Sequence, residues 1–492
     1  MTFNSLQFLI FLPIVIILYY IVPHKFRWII LLVASYYAYM SWNPWLILLI
    51  LATTIVSYLS GIFMPKIKNK AGKKALLWVT LIVCLGILIF FKYFNFLLGS
   101  VISFLNLFSL NINSIVLDII LPVGISFYTF QTLSYVIDVY REKFEPEKHF
   151  GYFALYVSFF PQLVAGPIER PDKLIPQLKE NHKLDPNNLL AGLQLLLIGF
   201  FRKCVVADFV GIFVNNVFGD IASANSFAIL VAGALFMVQL YCDFAGYSEI
   251  AAGASKMMGI ELSKNFDKPF TATTVQILMR RWHMTLTSWF TDYVYIPLGG
   301  NRKGKPRQIL NIFIVYALCG LWHGANWTYV LWGVYMWLFM FIESLIKKPV
   351  RNFCAKKNIN LGVLPIVIIR RCFVFLIAVF STFFFRATSL SHIGAIYHQI
   401  FTTMGISWDY FVESFSCLQI DVLSVVVILL SLIVMCRLYD FGYDRSFVTV
   451  TQDNRALFYR TSIIVVSLIA IAIGWFMLIS LEGSSEFVYF QF

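Results

Sequence analysis

Two histidines with the chemistry of a proton acceptor lie in apolar, aromatic-rich stretches of the chain. His323 follows Trp322 in LCGLWHGANW, and His283 follows Trp282 in RRWHMTLTSW. An ionisable side chain in a membrane segment is costly, and it is by default a candidate functional residue. Imidazole titrates near neutral pH and accepts a proton from a hydroxyl without a large pKa shift. Each histidine therefore has two interpretations: a general base, or a structural residue hydrogen-bonded to a neighbouring helix.

The polar residues around His283 are predicted to share one helix face. Arg280, His283 and Thr287 follow the spacing that places side chains on the same side of a helix. Such a face would line an aqueous pocket. The segment is predicted to lie along the membrane or to dip into it, because Arg280 and Arg281 would be costly in lipid.

A second polar stripe precedes this segment. Gln239, Asp243 and Tyr247 recur every four residues in VQLYCDFAGYSEIAAG. A carboxylate near bilayer depth needs a partner, and Arg280 and Arg281 are candidates for Asp243. The stripe is either part of the site or a polar clamp that holds helices together.

The chain lacks several familiar catalytic signatures. It contains no GxSxG nucleophile elbow, no P-loop, no HExxH and no Gly-rich dinucleotide fingerprint. Its eight cysteines are scattered, without a CxxC pair or metal-ligand spacing. No bound metal and no bound cofactor are predicted.

The composition is that of a membrane protein. Of 492 residues, 60% are hydrophobic and 13% are charged, against about half and a quarter in soluble domains. Roughly 20 apolar residues span the hydrocarbon core of a bilayer as a helix. We predict an all-α polytopic membrane protein. The apolar runs are Leu6–Ile21, Trp28–Met40, Trp45–Phe63, Leu76–Phe94, Ile115–Val139, Ser226–Gln239, Ile309–Gly320, Tyr329–Ile342, Leu364–Phe385, Val422–Met435 and Ser462–Leu481.

The basic residues predict an orientation rather than nucleic-acid binding. The net charge is +13, but the basic clusters Lys66–Lys74 and Arg302–Arg307 are short loops beside apolar runs. Such loops stay in the cytoplasm. No Lys or Arg precedes the first run, whereas Lys25 and Arg27 follow it. The N-terminus is therefore predicted to be extracytoplasmic.

The spacing of polar interruptions divides the chain into three predicted zones. Residues 1–110 form N-terminal transmembrane helices, residues 111–345 a catalytic core with re-entrant segments, and residues 346–492 C-terminal transmembrane helices. In the middle zone Pro, Gly and ionisable residues break the apolar runs, as in FFPQLVAGPIERP (Phe159–Pro171). Irregular backbone at membrane depth is tolerated only where it faces protein or a water-filled cavity. The site is therefore expected in the middle zone.

Taken together, these stretches resemble the membrane-bound O-acyltransferase family, in particular its bacterial alginate O-acetyltransferase branch. RRWHMTLTSWFTDYVYIPLGGNR and GLWHGANWTYVLWG resemble the two signature stretches of the family, with their histidines about forty residues apart. The resemblance extends to LPVGISFYTFQTLSYVIDVYR, FFPQLVAGPIERP, YCDFAGYSEIAAG and NFDKPF, and FFFRATSLSHI resembles the C-terminal part of the alginate-type branch.

The resemblance implies about 11–13 transmembrane or re-entrant helices around a central tunnel. It implies that His323 is the general base on a hydroxyl that attacks a thioester carbonyl, and that His283 orients the acyl group or stabilises the oxyanion. Further candidates for substrate binding or for the oxyanion are Asn326, Trp282, Thr287, Asp243 and Tyr247.

The family also implies partners and a location. The acyl donor, acetyl-CoA or an acyl carrier, arrives from the cytoplasm, and the acceptor is an extracytoplasmic polysaccharide. An extracytoplasmic acetyltransferase of the SGNH (AlgJ–AlgX) type is the expected protein partner. The chain is expected to be a multi-pass protein of the bacterial inner (plasma) membrane.

Two other functions remain open at this point. The first is D-alanyl transfer to teichoic acid within the same family. The C-terminal spans and the sequence FFFRA favour the polysaccharide-acetylating branch instead. The second is a secondary transporter, which also has broken helices and buried ionisable residues. No two matching halves with paired interruptions occur in the sequence, as inverted repeats would require.

Overall fold

Helices account for the regular structure of this protein. The computed structural model describes residues 1–113 and 116–439, with side chains described as far as residue 436, and no strand occurs among these residues. This confirms the predicted all-α class. The helices are α1 Leu6–Ile21, α2 His24–Met40, α3 Ile47–Phe63, α4 Lys70–Leu88, α5 Phe94–Asn106, α6 Ile125–Tyr140, α7 Phe150–Ser158, α8 Pro171–Lys179, α9 Pro186–Phe200, α10 Asp208–Gly219, α11 Ser226–Met257, α12 Val275–Arg281, α13 Met284–Phe290, α14 Lys305–His323, α15 Trp327–Lys356, α16 Leu364–Arg386, α17 Leu390–Thr402, α18 Trp408–Leu418 and α19 Val422–Tyr439.

Within the described residues, five helical stretches are long and apolar enough to cross a bilayer. A sixth is counted if Trp408–Leu418 and Val422–Cys436, bent by 77° at their junction, form one broken span. The protein is therefore a polytopic membrane protein, while a total of 11–13 helices around a tunnel stays a prediction. The five stretches are Pro44–Lys66, Lys70–Asn106, Ser226–Met257, Trp327–Lys356 and Leu364–Arg386.

Most predicted apolar runs coincide with helices, several of which extend beyond the run, whereas the helix in the run Ile115–Val139 begins only at Ile125. The run that begins at Ser226 was predicted to end at Gln239, but α11 continues through Asp243 and Tyr247 to Met257. The polar side chains do not end the helix because they are buried against protein rather than lipid. The predicted run Ser462–Leu481 lies outside the described residues, as does the first residue of Ile115–Val139.

Contacts divide the described chain into two compact units. The first comprises residues 1–197 with 247–263, and the second comprises residues 198–246 with 264–439. In the first unit the predicted interruption at Phe159–Pro171 occurs as a series of turns between α7 and α8. The Glu169 carboxylate, only 1% exposed, accepts hydrogen bonds from the backbone and hydroxyl of Ser263. Both candidate histidines belong to the second unit.

Candidate active site

A tight helical hairpin of α14 and α15 holds His323, the last residue of α14. The two helices approach so closely that their facing positions have room only for glycine. A Cβ atom on Gly320 would lie 2.1 Å from the carbonyl oxygen of Tyr329, and one on Gly333 would lie 2.0 Å from that of Tyr316. Backbone-to-backbone packing of this kind is the usual role of small residues in membrane helices. It fixes His323 relative to α15.

Aromatic rings surround the imidazole of His323. Its ring centroid lies 5.0 Å from that of Trp332 and 5.3 Å from that of Phe385, both at steep angles, and 5.0 Å from the neighbouring Trp322. Edge-to-face contacts at these distances favour one ring orientation. His323 is 6% exposed. The histidine is thus held rigidly in a nearly dry environment.

A cavity in the second unit opens beside His323. Five helices supply its walls, and all but three of the lining side chains are hydrophobic. Among the described residues, no group of three His, Cys, Asp or Glu side chains lies close enough to hold a metal ion. The arrangement suits an apolar substrate group placed next to a base. The lining residues are Met237, Leu240 and Phe244 of α11, Leu278 and Met279 of α12, Trp282 after α12, His323 of α14, Trp332 and Met336 of α15, and Ala378, Ser381, Thr382 and Phe385 of α16.

The segment around His283 is broken, and the prediction of one continuous helix was wrong. Helix α12 ends at Arg281 and α13 begins at Met284. Between them His283 has a backbone φ of 43°, in the left-handed region that non-glycine residues seldom adopt. Because the helix direction changes here, the shared face predicted for Arg280, His283 and Thr287 does not form.

Asn265 holds this break in place. Its backbone carbonyl accepts the N–H of Met284 at 2.8 Å, and its Oδ1 accepts the hydroxyl of Thr285 at 2.9 Å. The same Oδ1 lies 3.0 Å from Nδ1 of His283. Since an amide oxygen only accepts, Nδ1 carries the proton that His283 donates. In the neutral ring Nε2 is then the basic nitrogen.

His283 lies close to His323 but behind the cavity wall. Its ring contacts Phe244 of that wall at 4.7 Å, and Trp322 at 5.5 Å. His283 lies at a helix break outside the candidate membrane spans. Complete burial, and next the charge on a protonated His323, lower the pKa of His283 well below its ordinary value. The neutral form of His283 is therefore the one that operates at neutral pH.

Replacing Asn265 with alanine is expected to disturb His283 without touching the cavity. The substitution leaves buried donors of His283 and Thr285 without their acceptor, which costs about 1–3 kcal/mol of stability. Melting temperature in detergent and the rate of acyl transfer should both fall. Asn360→Ala, at an exposed position, is the matched control. An Asn265→Ala protein with wild-type stability and rate would show that His283 does not depend on this amide.

The remaining residues predicted near the histidines take different places. Trp282 lines the cavity. The hydroxyl of Thr287 donates to the carbonyls of Met279 and Trp282, each at 3.4 Å, and so bridges the helix break.

Asn326, a predicted oxyanion donor, makes structural hydrogen bonds. Its Nδ2 donates to the carbonyl of Thr388 at 2.9 Å, and its Oδ1 accepts the N–H of Thr328 at 3.1 Å. The second bond caps the start of α15. Asn326 is therefore placed to hold the loop after His323.

Asp243 and Tyr247 do not line the cavity. Asp243 accepts a hydrogen bond from Nζ of Lys203 at 2.6 Å, and the same Nζ donates to Asp208 at 2.7 Å. All three side chains are at most 3% exposed. The sequence suggested Arg280 and Arg281 as partners of Asp243, and the structure supplies Lys203. Tyr247 belongs to the first unit, where its ring stacks on Phe3 at 4.3 Å.

Sequence reasoning missed several residues that shape the site. Asn265 stands in NFDKPF and Phe385 in FFFRATSLSHI, two stretches quoted above for their resemblance without a role for either residue. Trp332 and Lys203 were not singled out. Asn265, Phe385 and Lys203 contact residues distant in sequence, whereas Trp332 follows His323 after the short loop between α14 and α15. Spacing along the chain contains no signal for such contacts.

The comparisons with known proteins agree with one another. The family model for MBOAT, membrane-bound O-acyltransferase family, matches residues 147–386, which include both histidines. Probable alginate O-acetylase AlgI of Pseudomonas syringae pv. tomato is 36% identical over 407 residues, covering 82% of this chain and 75% of that protein.

Two further relatives have other acceptors in their names. Peptidoglycan O-acetyltransferase of Helicobacter pylori is 32% identical over 387 residues, covering 71% of this chain and 72% of that protein. Teichoic acid D-alanyltransferase of Streptococcus thermophilus is 30% identical over 257 residues, covering 48% of this chain and 60% of that protein. The similarity to the D-alanyltransferase is thus confined to about half of the chain.

Proposed function

The chain belongs to the membrane-bound O-acyltransferase family, and on that premise we propose that it transfers acetyl groups for O-acetylation of an extracytoplasmic polysaccharide. One observation carries this proposal: a rigidly held histidine, His323, stands at the wall of an apolar cavity. The acceptor is an alginate-like exopolysaccharide or a cell-wall glycan. Similarity to a probable alginate O-acetylase and to a peptidoglycan O-acetyltransferase supports this class of acceptor.

The proposed chemistry needs one base and no bound metal. His323 accepts the proton of a hydroxyl, either on the acceptor or on a carrier, while the hydroxyl oxygen attacks the carbonyl carbon of the thioester. The tetrahedral intermediate collapses, the C–S bond breaks, and the departing thiolate takes the proton from the imidazolium of His323. The products are an ester and a free thiol. His283 supports this step through Trp322 and Phe244, which keep the reacting groups in position.

The lining of the cavity favours acetyl over D-alanyl transfer. A D-alanyl thioester carries an ammonium group, and a buried cation needs a counter-charge. None of the described residues that line the cavity is acidic. An acetyl group needs no such partner.

Direction and partners are part of the proposal. The donor is acetyl-CoA or an acyl carrier on the cytoplasmic side, where the basic loops are predicted to lie. The N-terminus is extracytoplasmic, which a membrane-impermeant reagent against an N-terminal tag would check. An extracytoplasmic SGNH-type (AlgJ–AlgX) acetyltransferase completes the transfer to the sugar.

Deleting the gene is expected to abolish ester-linked acetyl groups on the surface polysaccharide while leaving ester-linked D-alanine unchanged. Alkaline release followed by quantification of acetate and D-alanine from the same extract measures both. Re-expression of the full chain should restore the acetate. Unchanged acetate with lost D-alanine would reverse the assignment, and loss of neither would point to another acyl group.

A further inference from the structure

The cavity beside His323, called the slot below, extends along two of the helices that line it, α15 and α16. On α15, Met336 lies one turn beyond Trp332, whose ring contacts His323. On α16, Ala378 lies two turns before Phe385, which also contacts His323. The lining residues therefore extend along both helices away from the imidazole. The base stands at one end of the slot, and Met336 and Ala378 stand at the other.

The walls of the slot offer almost nothing to a polar group. Apart from His323, the polar lining side chains are Ser381 and Thr382. Their hydroxyls donate to carbonyls of their own helix, at 2.7 Å to Ala378 and at 2.6 Å to Val379. A pantetheine arm carries two amides that would lose their hydrogen bonds in such surroundings. An acyl group is the part of a thioester donor that suits this slot.

The slot is also small. The space that the centre of a water molecule can reach in it is about 30 Å³, and one water needs about 10–15 Å³ measured in the same way. That leaves room for two or three heavy atoms next to His323. A two-carbon acyl group fits, and each further methylene meets the side chains at the far end.

We propose that this slot holds the acyl group of the donor and that Met336 limits its length to two carbons. The inference rests on the proposed acyl transfer and adds the residue that selects the acyl chain. Met336 is 2% exposed, and truncation to alanine removes three heavy atoms from the end of the slot. Because the methionine side chain is long and unbranched, its truncation opens a narrow continuation of the slot. Met336→Ala therefore makes room for a butyryl chain.

The test compares the binding of acetyl-, propionyl- and butyryl-CoA to the full chain in detergent, without acceptor polysaccharide, so that no transfer consumes the thioester. Wild type is expected to bind acetyl-CoA most tightly. Since one methylene in an apolar pocket is worth about 10- to 200-fold, Met336→Ala should raise the affinity for butyryl-CoA relative to acetyl-CoA by at least about tenfold. Met258→Ala, which removes an equally buried methionine of the first unit, should keep the wild-type ratio of the two affinities.

A variant that narrows the slot should have the opposite effect. Ala378→Leu adds bulk at the same end and should weaken binding of butyryl-CoA and propionyl-CoA more than that of acetyl-CoA. An unchanged ratio of butyryl-CoA to acetyl-CoA affinity in wild type, Met336→Ala and Ala378→Leu would overturn the inference. Failure of all three thioesters to bind saturably would also overturn it. The gene-deletion measurement separates this from the proposed function. Intact polysaccharide acetylation in the deletion strain, with a shifted chain-length preference in Met336→Ala, would refute only the polysaccharide assignment.

Discussion

Substitution of His323 by alanine is expected to lower acyl transfer by about 100- to 10,000-fold, the usual contribution of a positioned general base. The aromatic rings of Trp322, Trp332 and Phe385 hold the imidazole, and no other described residue that lines the cavity carries an imidazole, carboxylate, amine or thiol. The measurement is ester-linked acetate on surface polysaccharide from cells that express equal folded amounts of each protein. Transfer from a radiolabelled acetyl thioester in vesicles gives the rate.

The control for this experiment is another histidine of the same chain. His398 is exposed on α17, and His398→Ala should retain the wild-type rate. Folding is checked by the melting temperature of both variants in detergent. Wild-type acetylation by a folded His323→Ala protein would remove His323 from the chemistry and leave His283 as the histidine to test.

Substitution of Lys203 by methionine is expected to destabilise the fold by about 3–5 kcal/mol, the usual cost of removing one partner from a buried ion pair. Lys203 Nζ lies 2.7 Å from Asp208 Oδ1 and 2.6 Å from Asp243 Oδ1, and all three side chains are buried. Without the ammonium group, two carboxylates face each other in a low-dielectric interior. Melting temperature and the yield of folded protein after extraction should both drop sharply.

A compensated variant distinguishes charge from packing. Combining Lys203→Met with Asp208→Asn and Asp243→Asn removes all three charges at nearly constant volume, and most of the lost stability should return. If the single and triple variants melt at the same temperature, packing rather than charge accounts for the effect. A Lys203→Met protein as stable as wild type would mean that water reaches the two aspartates.

Helix bounds were predictable where polar residues flank an apolar run. Helix α1 has the bounds predicted for it, because Ser5 caps its first turn by accepting the N–H of Phe8 and Pro23 follows its end. The place of His323 in an apolar setting was equally clear, because few ionisable residues interrupt such runs. Both inferences need only neighbours in sequence.

The helix break at His283 was not predictable in this way. The residues from Arg280 to Thr287 have a helical pattern, and the break is stabilised by hydrogen bonds to Asn265, which precedes them by about 18 residues. The partner of Asp243 was missed for a similar reason, since Lys203 lies about 40 residues away on a separate helical segment. Where a helix is apolar on all sides, the pattern of hydrophobic residues also does not show which side faces protein and which faces lipid.

The close approach of α14 and α15 bears on how freely this part of the chain can change during evolution. At Gly320 and Gly333 any side chain collides with a carbonyl oxygen of the opposite helix, so a single substitution there has to displace a whole helix and, with it, His323. Leu331, Leu338 and Leu345, on the outer side of α15, are 39%, 42% and 57% exposed and can be exchanged for other apolar residues with little consequence. Drift is therefore confined to the outer surface of the hairpin, whereas its inner surface changes only through paired substitutions.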